Sequence, residues 1–261
     1  MKKMLVKGAL CAIPLVAMLS GVASASPIVG DALQNVLDDI TISPATGSSI
    51  DVHNDYLSDS YDSYWSLTGS GGSVNTFIIE LAGYAGTNTF GVFDRSDPSK
   101  MVTIFEGTDT QTSQKTLSIL VDGSVKVDGV DSDIDFAGNA FGYFLDSTTS
   151  FNGGLWRSDT SLNSDGMDHM VAYQGNDSDT IQIPGYFPGT WSDNEFILAF
   201  EDLGNEYNMD NGSIVAGYSD RDFTDMVVMV ESVQPVPEPA TMLLFGTGLA
   251  GLAGYSRRRK K

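Results

Sequence analysis

Cysteine, histidine and, over most of the chain, basic residues are scarce here, and each scarcity removes a class of chemistry. The single cysteine of the 261 residues, Cys11, lies within the first 25, so the chain beyond has no disulfide, thiol nucleophile or thiolate metal site. His53 and His169 are the only histidines, too few for a histidine-rich metal centre, and neither H-E-x-x-H nor G-x-S-x-G occurs. Between positions 26 and 236 six basic residues face 33 acidic ones, a net charge of −27. Such a surface repels nucleic acid and anionic lipid and attracts divalent cations or basic partners, so nucleic acid is excluded as a partner. Long helical repeats are also missing. With 28 glycines and only 18% charged residues, the composition points to β structure rich in turns.

What is present at the N-terminus has its own logic. Lys2, Lys3 and Lys7 precede the apolar run "ALCAIPLVAMLSGV", and Ala23 and Ala25 then offer small residues to a signal peptidase. Residues 1–25 are therefore expected to be a signal peptide cut after Ala25, and residues 26–234 an exported domain. A permanent transmembrane helix is the competing reading, but the run is short and Pro14 interrupts it. Leu10 stands where a lipoprotein signal needs a small residue.

The C-terminus repeats the apolar theme in a different order. Residues 240–255 carry no charge, roughly 24 Å of helix at about 1.5 Å per residue, somewhat short of the ~20 residues usual for a bilayer span. Arg257, Arg258, Arg259, Lys260 and Lys261 follow, and such clusters stay on the cytoplasmic side. Immediately before the apolar segment stand Val236, Pro237, Glu238 and Pro239. Prolines keep such a motif extended and out of any helix, open to a protease.

This order of parts resembles the PEP-CTERM sorting signal of Gram-negative bacteria, over residues 235–261: motif 236–239, transmembrane helix 240–255, basic tail 256–261. The resemblance implies that an exosortase, a membrane-embedded enzyme with a cysteine nucleophile, is a processing partner. It implies an inner-membrane intermediate, then transfer to the cell surface or the exopolysaccharide matrix. The signal addresses the protein and is silent on its activity.

Between the two ends the chain reads as short β-branched and aromatic runs separated by Gly, Asn, Asp and Ser: 74–81, 89–93, 101–106, 116–121, 141–145, 169–174, 195–200 and 225–232. The expected fold class is all-β, an antiparallel sandwich or jelly roll in one domain. Leu33, Val36, Leu37 and Ile40 break the pattern with helical spacing. They suit either one amphipathic helix on a sheet or an irregular lead-in.

Two stretches concentrate carboxylates. After the run 196–200 come Glu201 and Asp202; Asp220, Asp222 and Asp225 lead into the run 226–230. If these strands pair antiparallel, both acidic groups meet at one end of the sheet, which is unfavourable unless a cation compensates. Calcium, with 6–8 oxygen ligands in flexible geometry, fits. A solvated loop is the alternative, though aspartates outnumber glutamates 27 to 7, and short aspartates suit cation cages as well as turns. Phe200–Leu203 with Asp220, Asp222, Phe223, Asp225, Val227 and Val228 also resemble a β-rich domain of unknown function found in secreted bacterial proteins, of pattern FEDL…DxDYNDxVV, with Thr224 in place of its asparagine. That resemblance implies a calcium-associated surface domain.

The second stretch, Asp131, Asp133 and Asp135, has the alternation of a calcium loop. But Phe136 replaces the required glycine and Gly142 the terminal glutamate, so a strand with its aspartates in water is expected. A catalytic triad from Ser164, Asp168 and His169 is not expected, since adjacent residues on a strand face opposite sides. Tyr61, Tyr64, Trp65, Trp156, Tyr186 and Trp191 are candidates for stacking on sugars, or for packing. The expectation is a non-catalytic surface or matrix protein, structural or adhesive, binding calcium and meeting extracellular polysaccharide or other surface proteins. A secreted polysaccharide hydrolase or a permanently anchored carbohydrate-binding protein is the alternative.

Overall fold

A computed structural model of the chain describes residues 28–68, 72–79, 85–204, 209–210, 213–214 and 218–237. The expected signal peptide with Ala23 and Ala25, the residues Glu238 and Pro239, the segment 240–255 and Arg257 to Lys261 lie outside them.

Helix α1 (Ala32–Ile40) opens the described chain, followed by β1 (Thr41–Ser43), the single-turn α2 (Asp59–Asp62), β2 (Trp65–Leu67) and β3 (Gly72–Ile79). Then come β4 (Thr89–Asp94), β5 (Met101–Phe105), β6 (Gln114–Ile119), β7 (Ser124–Val127), β8 (Val130–Asp135), β9 (Ala140–Asp146) and β10 (Leu155–Arg157). The last are β11 (Met170–Gln174), β12 (Thr180–Ile181), β13 (Gly189–Thr190), β14 (Glu195–Phe200), β15 (Met209–Asp210), β16 (Ser213–Ile214), β17 (Met226–Glu231) and β18 (Val233–Pro235). The strands pair antiparallel.

A seven-stranded sheet has the order β11-β14-β17-β3-β6-β7-β8, and a six-stranded one β18-β2-β9-β4-β5 with β10 on β9. One core is drawn from both: Trp65, Phe90 and Tyr143 come from the six-stranded sheet, and Phe196, Phe200 and Val228 from the seven-stranded one. Trp65 meets Phe196 edge-on at 4.8 Å between ring centres, and Phe90 meets Phe200 at 5.9 Å. A second core lies on the other face of the seven-stranded sheet. There Ile197, Ala199, Val227 and Met229 pack with Leu33, Val36, Leu37 and Ile40 of α1 and with Trp191.

This layering explains the sequence. The alternating side chains of β14 and β17 go to opposite faces, and here both faces are covered, so the strands read as continuous apolar runs. Burial of each large side chain stabilises by about 1.5–3 kcal/mol. The helical periodicity at 33–40 is that of an amphipathic helix whose apolar stripe closes the second core. Gly142 is fixed by packing: it pairs with Phe93, whose ring would stand 2.2 Å from any Cβ there.

β18 lies at the edge of its sheet, pairing only with β2, which is where a strand tolerates proline. The order continues past it, since the Val236 amide donates to the Tyr64 carbonyl at 2.7 Å and Val236 packs on the Tyr64–Phe93–Phe144 cluster. Among the described residues no helix is long and apolar enough to cross a membrane.

Candidate metal centre

The acidic residues flanking β14 and β17 meet because of strand register. Phe200 pairs with Met226 in an antiparallel ladder, so the residue leaving β14, Glu201, and the residue entering β17, Asp225, emerge at the same end of the sheet. The Asp202 amide donates to Asp225 Oδ2 at 2.8 Å, and the Phe223 amide to Glu201 Oε2 at 3.4 Å. The approach to β17 is bent: Arg221 and Phe223 have φ of 57° and 54°, left-handed conformations unfavourable outside glycine. Phe223 holds the bend by burying its ring in the second core, and the Arg221 carbonyl accepts from the Val29 amide at 2.9 Å. Thr224 closes it, donating its amide and hydroxyl to Asp222 Oδ1 at 2.9 and 2.7 Å.

The bend brings one carboxylate oxygen from each of Glu201, Asp220 and Asp222 within 4.8 Å of one another. Asp202 and Asp225 stand behind this trio. Asp202 takes the Asn88 amide on Oδ2 at 2.9 Å, while its carbonyl accepts from the Trp156 indole at 2.8 Å and from the Ser147 hydroxyl. Asn88 was not singled out from sequence, where one asparagine in a turn carries no signal; its Oδ1 is buried without a partner. His169 also serves this wall. Its ring stacks on Trp156 at 3.8 Å, with Nε2 at 2.9 Å from Asp165 Oδ2 and Nδ1 at 3.2 Å from the Glu201 carbonyl. The partner of His169 is thus Asp165, four residues earlier in the turn before β11, and not the adjacent Asp168.

Burial and mutual repulsion make ionisation of this cluster costly. The Glu201 carboxyl is pushed up to about 8, first by burial and then by the charges of Asp220 and Asp222. Asp225 stands well above the usual range through burial and the charges of Glu201 and Asp202. Burial is also the main cause of the upward shifts of Asp220 and Asp202, and Asn88 partly opposes the latter. Such a group of acids either shares protons or takes a cation. The donor set suits calcium: 4.8 Å is about twice a Ca–O bond, and calcium takes carboxylate oxygens in flexible geometry. Zinc and copper prefer the sulfur and imidazole ligands that this trio lacks.

The other sequence candidates fall elsewhere. Asp131, Asp133 and Asp135 are exposed on β8, with Phe136 buried beside them. Trp65, Trp156 and Trp191 are buried and Tyr64 nearly so, which assigns them to packing; Tyr61 stays exposed and Tyr186 half-buried. Glu195 and Glu231 pair directly across β14 and β17 and line a concavity with Tyr186 and the exposed Phe187.

Comparison with known families gives one finding that bears on destination. The family model described as the PEP-CTERM protein-sorting motif matches residues 235–260. The C-terminal segment is therefore a protein-sorting motif of the kind that exosortases process, and it starts in the last residue of β18. No curated protein and no solved structure matches the chain.

Proposed function

We propose that this chain is an exported, non-catalytic structural or adhesive protein of the cell surface or extracellular polysaccharide matrix, ordered by calcium at Glu201, Asp220 and Asp222. The sorting motif supports the route, with the signal peptide, membrane-held intermediate and cleavage near Pro237–Pro239 as its steps. The observation that carries the calcium reading is the convergence of three partly or fully buried carboxylates within 4.8 Å. The ion would bind the trio directly, while Asp202, whose carboxylate takes the Asn88 amide, and Asp225, whose carboxylate takes the Asp202 backbone amide, would hold the trio in place. An adhesive role follows from this chemistry, because an acidic domain can share divalent cations with acidic polysaccharide.

The test is the melting temperature of the full chain in detergent, in EDTA and across a calcium titration. A ligand of the native state stabilises by about 2.7 kcal/mol at one hundred times Kd. For a domain of this size that corresponds to a rise of about 5–10 °C. Asp220→Asn with Asp222→Asn is expected to remove the part of the rise that this site supplies, and a wild-type chain indifferent to millimolar calcium would refute the site. Processing has its own check. A surface-extracted protein whose intact mass still includes residues 240–261 would defeat it.

The alternative, a polysaccharide hydrolase, draws on the facing Glu195 and Glu231 beside Tyr186 and Phe187. Turnover in a glycan-cleavage panel, lost in Glu195→Gln, would decide for it.

A further inference from the structure

Aspartates buried in this fold are ordinarily supplied with donors. Asp179 is fully buried, yet its oxygens take the Ser49 amide and hydroxyl and the Ser48 hydroxyl. Asp159 takes Tyr64 and both donors of Ser161, and Asp94 takes Ala137 and both donors of Ser96. Three others do not follow the rule. Asp59 and Asp62 stand at i and i+3 of α2, on one face of its turn, and Asp168 lies just before β11. They are 9%, 2% and 6% exposed. Each keeps one oxygen shut from water with no hydrogen-bond partner: Asp59 Oδ1, Asp62 Oδ2 and Asp168 Oδ2.

These three carboxyls are neighbours. Asp62 is pushed well above the carboxylate range by burial and then by the charges of Asp168 and Asp59; Asp168 is pushed up to about 7 by burial and by Asp59. No lysine or arginine is among the groups acting on either. The remaining contacts are modest: the Thr160 hydroxyl reaches Asp59 Oδ2 at 3.3 Å, and the Met170 amide reaches Asp168 Oδ1 at 3.1 Å. A buried polar atom without a partner costs about 1–3 kcal/mol, more when charged. Three in one place are not explained by packing.

We propose that Asp59, Asp62 and Asp168 form a second divalent-cation site, distinct from the Glu201–Asp220–Asp222 cluster, in which one hard cation supplies the missing partner of all three carboxylates. An all-oxygen set with no sulfur or imidazole selects calcium or magnesium over softer metals. The trio is more open than the first cluster, which alone among the described residues brings three ligand atoms within 4.8 Å. Binding therefore draws α2 toward the start of β11, and water fills the remaining coordination. The ion would thus staple α2 to the seven-stranded sheet. The two sites flank the stacked pair Trp156 and His169, since Asp168 adjoins His169 and the His169 ring meets the Glu201 carbonyl.

Equilibrium dialysis of the full chain in detergent against radioactive calcium counts the ions. The expected result is that Asp62→Asn with Asp168→Asn loses one bound calcium relative to wild type. Asp220→Asn with Asp222→Asn loses a different one, and the combined variant loses both. Because asparagine removes buried repulsion, Asp62→Asn/Asp168→Asn should also melt higher than wild type in EDTA. Equal calcium counts in wild type and Asp62→Asn/Asp168→Asn would overturn the proposal, whatever the first cluster does. Should that variant not fold, crystals of the wild-type chain soaked in terbium give the answer. An anomalous peak between Asp59, Asp62 and Asp168 supports the site. No peak there, with or without one at Glu201, Asp220 and Asp222, rejects it.

Discussion

Asp131, Asp133 and Asp135 alternate along β8 and point to water, whereas Asp220, Asp222 and Asp225 gather against Glu201 at the mouth of β14 and β17. In sequence both are three aspartates within six residues. The difference comes from sheet position. β8 is the outermost strand, paired only with β7; Asp131 takes the Asp133 amide at 3.1 Å, and the cation near its carboxylate is Lys126 at 3.6 Å. A charged edge of that kind keeps the strand from pairing with other chains. The second run leads into a strand covered on both faces, so its carboxylates are brought close before their repulsion is relieved. Spacing sets which acids are near in sequence, and burial decides which of them must be compensated.

The contrast breaks most visibly at the residues that anchor each run. Phe223 carries the acidic bend into the second core, so Phe223→Ala should cost about 3–5 kcal/mol, roughly 10 °C in melting temperature. It should also remove the part of the calcium response that depends on Asp220 and Asp222, by releasing both. On β8 the corresponding apolar residue, Ile134, is only partly buried, and Ile134→Ala should cost far less and leave the calcium response intact. Calorimetry of both variants with and without calcium checks this. A Phe223→Ala chain that still gains full stability from calcium would show that the bend is not held by its ring.

A smaller but more diagnostic effect is the pH dependence of the metal-free chain. Glu201, with its carboxyl near 8, and Asp168, near 7, hold protons in the native state that they release when unfolded. Their stabilising contribution is complete below the unfolded carboxylate range of about 4 and is lost as pH rises through 7–8. In EDTA the melting temperature should therefore fall between pH 5 and pH 8, by several degrees. Calcium competes with those protons, so its stabilisation should grow over the same interval. A metal-free melting temperature that rises steadily from pH 5 to pH 8 would contradict the buried acids. Below pH 4 the opposite limb sets in: Asp179, which burial would raise but Ser49, Ser48 and Asn176 hold low, loses its bonds on protonation.

How much of this was readable beforehand depends on the length and purity of each signal. Residues 196–200 and 226–230 are apolar throughout because both faces are buried, and the runs expected at 195–200 and 225–232 lie within a residue of β14 and β17. The spacing of Leu33, Val36, Leu37 and Ile40 likewise matched α1. Antiparallel pairing implies that Glu201 meets the acidic run before β17, but the left-handed bend at Arg221 and Phe223 that brings Asp220 and Asp222 to it has no local sequence signal. By contrast, β2 is three residues in a stretch rich in Tyr, Ser and Asp, which reads as an aromatic loop; only the finished fold shows Trp65 as the centre of the main core. β18 is masked by Pro235, its own last residue, which is tolerated because the strand is an edge. Asp62 and Asp168 look like any other aspartate of the 27. Their burial depends on α2, β10 and β11 arriving together, which no local pattern encodes.

The smallest expected effect tests the solvent-facing half of the comparison. Replacing Asp131, Asp133 and Asp135 together by Asn removes three negative charges from a region of net −27. Self-repulsion falls slightly, the Lys126 ion pair is lost, and surface substitutions of this kind shift melting by less than about 2 °C. The calcium increment should be unchanged, because none of these side chains reaches either carboxylate cluster. What should change is association. An edge strand stripped of charge is free to pair with its copy, so light scattering at high concentration should show the Asn variant self-associating where wild type does not. Were the variant to lose calcium stabilisation instead, the exposed aspartates would be ligands after all, and burial would not be what separates the two runs.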